Sequence, residues 1–283
     1  MSIVRTLEVP GYQVLQFLGS GAKSTIWQVK DHQTGKFCAL KRVVKREQDD
    51  TRFLEQALNE FQAASQFDHP VVRKIYRMQR LRHWLSVREI HLFMEWCEGH
   101  SVQENRPGDV QAVVRIFRQV ADALAHMNSR GYIHADTKPN NIIVCPRGGV
   151  KIIDLGQSCP IGTVKERIQG TPDFIAPEQV HRGPLDSRTD AFNFGATLYW
   201  TLTGRPIPTV LPRDRPSNLK SDFTPTPVEK LNENVPASLS KLIGECVEMK
   251  PSRRPESMSE VASRLGLIAH SLDYRRNNGN HSP

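Results

Sequence analysis

The sequence has no long hydrophobic run. Nowhere does it approach the roughly 18–20 consecutive apolar residues that a membrane-crossing helix needs, so no membrane span is expected. The first ten residues carry Arg5 and Glu8 and lack a continuous apolar core, unlike a signal peptide. Cysteines are few and unpaired in pattern. Cys38, Cys97, Cys145, Cys159 and Cys246 are five in number and scattered, with no CxxC or Cys/His ligand spacing. That excludes a disulfide scaffold and a zinc knuckle, and points to reduced thiols and a cytoplasmic protein. Internal repeats and low-complexity tracts are absent. There is also no block of one charge: the net charge of +8 comes from 38 Lys and Arg against 30 Asp and Glu, spread along the chain. A mildly basic surface is the reading, and no nucleic-acid partner is expected.

What remains is an ordinary globular composition over 283 residues, enough for one large domain or two small ones with real cores. The first part reads as strands. Residues 12–18 run into a Gly-containing turn. Residues 25–29 follow, then a turn at 31–35 and a third strand at 36–43. Phe53, Leu54, Ala57, Leu58, Phe61 and Ala64 step at helical spacing over 51–65, and His69-Pro70 stops that helix. Two more strands fit 74–81 and 89–96. Past Gly99 the texture turns helical. Val110, Val113, Phe117, Val120, Leu124 and Met127 make one helix face, and 189–203 is apolar nearly all round and ends at Gly204, as a core helix does. Ser257-Met-Ser-Glu260 resembles a capping box opening a last helix. The division expected is a strand-rich front at 1–97, a helical back at 98–270, and a polar tail at 271–283, frayed from Arg275 on.

Three segments carry chemistry. Gly19-Ser-Gly21-Ala-Lys-Ser24 lies between two strands, where glycines let backbone N–H groups approach phosphates; taken alone it reads equally as a hairpin turn. Ala39 and Lys41 fall on one side of an alternating strand. The small Ala leaves room for a flat base and the Lys can hold phosphates, with Glu60 on the next helix as its anion. Taken singly, these two could also be solvated charges. His134-Ala-Asp136-Thr-Lys138-Pro-Asn-Asn141 precedes the short apolar runs 142–144 and 150–153, and Asp154-Leu-Gly156 follows them. Asp136, Asn141 and Asp154 then sit at one edge of a small hairpin, an oxygen set suited to Mg²⁺.

In this order the segments resemble the eukaryotic-type serine/threonine protein kinase catalytic domain. The series runs from Leu18 to Pro255 and includes Gly170-Thr…Ala176-Pro-Glu178, Asp190 at the head of the core helix, and Arg254-Pro255. The resemblance implies an α+β, bilobal protein-kinase-like fold with a small antiparallel β lobe, one key helix, and a larger helical lobe. It implies transfer of the γ-phosphoryl of ATP to Ser or Thr of a protein substrate, with Mg²⁺ as cofactor. Lys41 would hold the phosphates and pair with Glu60. Asp136 would accept the hydroxyl proton, Lys138 steady the γ-phosphate, and Asn141 and Asp154 hold the metal. Leu18, Gly19, Ser20 and Gly21 would cover the nucleotide. Met94 stands at the gatekeeper position, Glu95 and Cys97 would meet adenine through their backbone, and Ile26, Ala39 and Ile143 would sandwich it. Thr171 would bridge Asp136 and Lys138, and Glu178 would pair with Arg254. Lys138 and the Gly170–Glu178 segment resemble the Ser/Thr branch rather than the Tyr branch.

The chain departs from the family pattern at several positions. Ser24 replaces a third Gly, Leu155 replaces Phe, and Asn193 stands where Ser is usual, a change expected to matter little. Ala135 replaces the Arg beside the catalytic Asp, a non-RD variant. That Arg pairs with a phosphorylated residue and orders the segment after Asp154. Alanine cannot, so activity without phosphorylation of that segment is expected. The alternatives are a pseudokinase that binds nucleotide as a scaffold, and a small-molecule phosphotransferase, which would lack the 170–178 segment. The 205–236 stretch, rich in Pro and Thr, reads as an irregular surface loop.

Overall fold

The computed structural model describes residues 7–21, 23–47, 50–84, 86–208 and 225–279. Ala22 of the Gly-containing turn and residues 209–224, half of the expected 205–236 loop, lie outside the described residues. The chain divides into two compact units, Met1–Gln66 with Arg73–Glu98, and Phe67–Val72 with Gly99–Pro283.

The first unit is a five-stranded antiparallel sheet and one helix. Strands β1 (Tyr12–Gly21), β2 (Ser24–Asp31), β3 (Phe37–Val44), β4 (Ile75–His83) and β5 (Ser86–Glu95) lie in the order β1-β2-β3-β5-β4. Alternation on β3 sends Cys38 and Leu40 to one face, where they pack with Val29 and Phe93, and Tyr12 stacks on Phe93 at 4.4 Å. Ala39 and Val43 face the other way, into a core with Ile90, Leu92 and Met94. Helix α1 (Thr51–Ala64) covers that second face through Leu54 and Ala57. Its buried positions recur at three and four residues, the period of an amphipathic helix.

The second unit is mainly helical. Helix α2 (Val110–Ser129) begins at Asp109, whose carboxylate accepts the Ala112 N–H at 2.8 Å. This satisfies one of the donors that every helix start leaves open. Helix α4 (Ser187–Thr203) follows the single turn α3 (Pro177–Val180) and is buried on nearly every side. Asp186 caps its start through the Arg188 N–H at 2.8 Å, and Gly204 closes its end at φ 71°, a left-handed conformation that suits glycine. The short strands β6 (His100–Ser101), β8 (Ile142–Val144) and β9 (Val150–Ile152) form one sheet. Strands β7 (Tyr132–Ile133) and β10 (Cys159–Pro160) form another. Helix α5 (Ala237–Cys246) packs on α4.

The last helix, α6 (Met258–Gly279), starts as the sequence indicates: the Ser257 hydroxyl accepts the Glu260 N–H at 3.2 Å. It does not stop at residue 270. It runs on through Gly279, into the expected polar tail, where polar residues have partners on α2. Asp273 accepts from Arg115 at 2.7 Å and also from Gln111, and Arg276 donates to Gln111 Oε1 at 3.0 Å. Among the described residues no helix is long and apolar enough to cross a membrane, and none of the five cysteines forms a disulfide.

Candidate active site

In the first unit the strand register gathers the expected nucleotide residues. Ile26 lies opposite Lys41, and Ala39 lies opposite Met94. Directly opposed residues of an antiparallel pair point to the same side, so these four share one face. Glu60 reaches that face from α1 and is 1% exposed. Its Oε2 accepts from Lys41 Nζ at 2.6 Å. A charge this buried is tolerable only when paired. Leu18, Gly19, Ser20 and Gly21 form the end of β1, with Gly19 opposite Ile26 and Gly21 opposite Ser24. A Cβ on Gly21 would lie 3.0 Å from the Ser24 hydroxyl, so the turn has little room for a larger residue there. The Glu95 N–H donates to the Lys74 carbonyl at 2.9 Å, and the Cys97 thiol lies 3.7 Å from the Glu95 carbonyl oxygen.

In the second unit Asp136 is the hub. Lys138 Nζ donates to its Oδ2 at 2.7 Å and to the Thr171 hydroxyl at 2.9 Å, and that hydroxyl donates to Asp136 Oδ1 at 2.9 Å. The three side chains close a triangle that fixes the carboxylate. Asn141 Nδ2 donates to the Asp136 carbonyl at 2.9 Å, and the Asn141 carbonyl accepts the Ile153 N–H at 2.8 Å. That bond ties the 136–141 loop to the chain just before Asp154. Burial pushes the Asp136 pKa above the ordinary carboxylate value; Lys138 opposes the rise and the charge of Asp154 adds to it. Asp154 stands at φ 67°, with its carboxylate oxygen 3.4 Å from the Gly156 nitrogen, and Leu155 beside it is buried. Ile143 is half-buried on β8, opposite Lys151 and Ser101.

Behind this loop, Asp190 at the start of α4 accepts the N–H groups of His134 at 3.1 Å and Ala135 at 2.9 Å, and Asn128 Nδ2 at 3.0 Å. Burial raises its pKa and those donors oppose the rise. The bonds hold Ala135 at φ 61°, an uncommon conformation for a residue with a Cβ. Arg254, with a fully buried side chain, donates to both carboxylate oxygens of Glu178 at 2.7 and 3.0 Å, and to the carbonyls of Arg188, Glu248 and Met249. This bidentate pair with satisfied remaining donors is the arrangement in which a buried ion pair is stable.

Of two buried polar residues here, the sequence reading noted Asn193 only as a departure from Ser, and it missed Gln179. Asn193 Nδ2 donates to the Phe174 carbonyl at 2.7 Å and to Gln179 Oε1 at 2.9 Å. Gln179 is 3% exposed and hydrogen-bonds in four directions. For Asn193 the hint in sequence was a carboxamide in an otherwise apolar stretch; Gln179, between Glu178 and Val180, gave none.

Oxygen donors from Asn141 and Asp154 suit a hard cation such as Mg²⁺, which keeps waters and phosphate oxygens in its shell and needs only one or two protein ligands. The amide nitrogen of Asn141 is committed to Asp136, which leaves its oxygen for a cation. No group of three or more His, Cys, Asp or Glu suited to a metal occurs among the described residues.

Comparison with known proteins extends these observations. A family profile described as protein kinase domain matches residues 12–264. The chain is 26% identical over 263 residues to the serine/threonine-protein kinase PrkC of Bacillus subtilis, covering 88% of this chain and 39% of that protein. It is 25% identical to a probable serine/threonine-protein kinase of Clostridium acetobutylicum, over 91% of this chain and 40% of that one. An Aurora kinase of Candida glabrata is 29% identical over 83% of this chain and 64% of its own length. The chain thus spans about two fifths of the length of the two bacterial relatives.

Proposed function

The chain belongs to the protein kinase family, and from that membership we propose that it transfers the γ-phosphoryl of ATP to Ser or Thr hydroxyls of protein substrates. The observation that carries this reading is the closed triangle of Asp136, Lys138 and Thr171. A carboxylate held at both oxygens is oriented to accept one hydroxyl proton as that oxygen attacks phosphorus. Its raised pKa favours that role, because a base that binds its proton more firmly drives the transfer further. Lys138 places a cation beside the same carboxylate, where it can offset charge on the moving phosphoryl group. Thr171 and Lys138 together support Ser and Thr as acceptors.

Lys41, oriented by Glu60, is assigned to the α- and β-phosphates. Leu18, Gly19, Ser20 and Gly21 are assigned to the phosphates and sugar through the β1 end. Ile26, Ala39, Met94 and the backbones of Glu95 and Cys97 are assigned to the base, as is Ile143 of the second unit. Asn141 and Asp154 are the residues that would hold Mg²⁺, which would neutralise phosphate charge and align the γ-phosphoryl group. A cytoplasmic location, in keeping with five cysteines that form no disulfide, and the lack of any nucleic-acid partner belong to the same proposal.

The deciding experiment is transfer of labelled phosphate from Mg-ATP to a generic protein substrate. Asp136→Asn is expected to lower kcat by about 10²–10⁴ with a much smaller change in the KM for ATP. Equal transfer by variant and wild type would overturn the assignment.

The reading includes activity without a phosphorylated segment between Asp154 and Glu178. Ala135 offers no cation to a phosphate, and Ser158 in that segment is fully buried. Protein freed of phosphate should transfer at the full rate. Inactivity until Thr163 or Ser158 carries phosphate would refute this part.

A further inference from the structure

A kinase segment that no phosphate orders must be tied to the catalytic loop in some other way. In this protein the tie is visible at Gln179. Its carboxamide is buried, and every hydrogen-bonding capacity it has is used. Nε2 donates to the Ala135 carbonyl at 2.8 Å and to the Gln169 carbonyl at 3.2 Å. Oε1 accepts the Ala176 N–H at 2.9 Å and Asn193 Nδ2 at 2.9 Å. The Ala176 N–H can only donate, so the oxygen and nitrogen ends of the amide cannot be exchanged. One side chain therefore joins the catalytic loop, both ends of the 169–176 segment, and α4.

The bond to Ala135 matters most. The peptide group linking Ala135 to Asp136 has two polar atoms. Its oxygen accepts from Gln179, and its N–H faces His134 Nδ1 at 3.3 Å. The preceding peptide is held by Asp190 through the Ala135 N–H. Two consecutive peptides around a left-handed Ala135 are thus pinned, one from α4 and one from Gln179. The plane of the second sets where the Asp136 side chain begins.

We propose that Gln179 is a positioning residue for phosphoryl transfer: it holds the Ala135–Asp136 peptide in register with the 169–176 segment through uncharged hydrogen bonds, and so couples segment to catalytic loop without a phosphate. This rests on the kinase reading above. Its four bonding partners are all uncharged, so the coupling needs no modification to form. A methionine at 179 would fill similar space but take the Gln179 bonds from two carbonyls and one N–H, and leave the Asn193 carboxamide only its bond to the Phe174 carbonyl. A glutamate would keep the shape and the bonds to Ala176 and Asn193, but place an oxygen against the carbonyls of Ala135 and Gln169. Protonation of that glutamate would return a single donor.

The test uses the full chain, prepared free of phosphate and checked by mass spectrometry, with casein as acceptor. Wild type, Gln179→Met and Gln179→Glu are compared for kcat, for KM of ATP and for melting temperature across pH 6 to 8. Gln179→Met is expected to lose at least about tenfold in kcat, since small misplacements of a reacting group can cost up to 10²-fold, with KM for ATP nearly unchanged. Gln179→Glu should recover kcat relative to wild type as pH falls, whereas the Gln179→Met ratio stays flat. That recovery separates positioning from plain stabilisation, which the melting temperatures report. Should Gln179→Met fail to fold, the pH profile of Gln179→Glu decides. Wild-type kcat in Gln179→Met overturns the proposal. So does a flat Gln179→Glu profile, or a wild type that is active only once phosphorylated. A wild type inert in every state refutes instead the kinase reading, and this proposal with it.

Discussion

Glu89 on β5 accepts two hydrogen bonds from Arg42 of β3, at 2.6 and 2.7 Å, and is also hydrogen-bonded to His91. Burial pushes its pKa up, but the bonds from His91 and Arg42 outweigh that and hold it at about 2. The folded value thus lies below the ordinary 4.5. The stabilisation is present above the ordinary value and is lost as pH falls through the window from 4.5 to about 2. The shift bounds it at about 3 kcal/mol. Glu89→Gln should therefore cost about 1–3 kcal/mol at pH 7 and converge on wild type near pH 2. Denaturant titrations at pH 7, 4 and 2.5 measure this, and parallel curves would contradict it. The same scale shows what could be read in advance. Lys41, Glu60, Asp136, Lys138 and Thr171 announce themselves by residue type in an ordered series, and the structure brings Lys41 to Glu60 and Asp136 to Lys138 and Thr171. Gln179 and Asn193 do not. A carboxamide can bond to any backbone group, and its partners are chosen by how distant segments pack. Only the folded chain shows that four of them converge on Gln179.

The start of α6 was legible because its signal is local: the Ser257 hydroxyl bonds to the N–H of Glu260, three residues on. The end of α6 was not, because Asp273 and Arg276 are stabilised by α2, more than 150 residues earlier in sequence. Close approach between elements is likewise hidden in sequence, and Gly195 is the sharpest case. A Cβ there would lie 2.5 Å from Cys246 Cβ and 3.0 Å from Val247 Cγ1, closer than atoms can pack. The glycine lets α4 and the end of α5 meet. Alanine is the better helix former by about 1 kcal/mol, so helix propensity and packing predict opposite signs. Gly195→Ala should destabilise by about 1–3 kcal/mol, the cost of overpacking. Gly244→Ala in α5 meets nothing within 4 Å and should be neutral or stabilising by up to about 1 kcal/mol. Thermal melts of both variants check the pair, and two shifts of the same sign would refute the packing argument.

The two units bury their thiols unequally, and this gives a probe of the whole chain. Cys97 and Cys145 are half-buried, while Cys38, Cys159 and Cys246 are buried. Burial raises the pKa of all three, that of Cys246 to about 12. The thiolate is the reactive form, so these three are doubly protected, by access and by protonation. A thiol reagent at pH 8 should modify Cys97 and Cys145 in the native protein and the others only on unfolding. Cys38 lies in the first unit, and Cys159 and Cys246 lie in the second. The first unit is much the smaller, and a small unit buries a lesser fraction of its surface and is correspondingly less stable. Stability also varies between cooperative parts of one chain. Pulsed labelling across a denaturant series, read by mass spectrometry, should therefore expose Cys38 at a lower midpoint than Cys159 and Cys246. One midpoint shared by all three would mean that the units unfold together, and the size argument would fail. Mg-ATP should raise the Cys38 midpoint if the first unit binds the nucleotide through Lys41 and its neighbours, because a ligand stabilises the state that binds it.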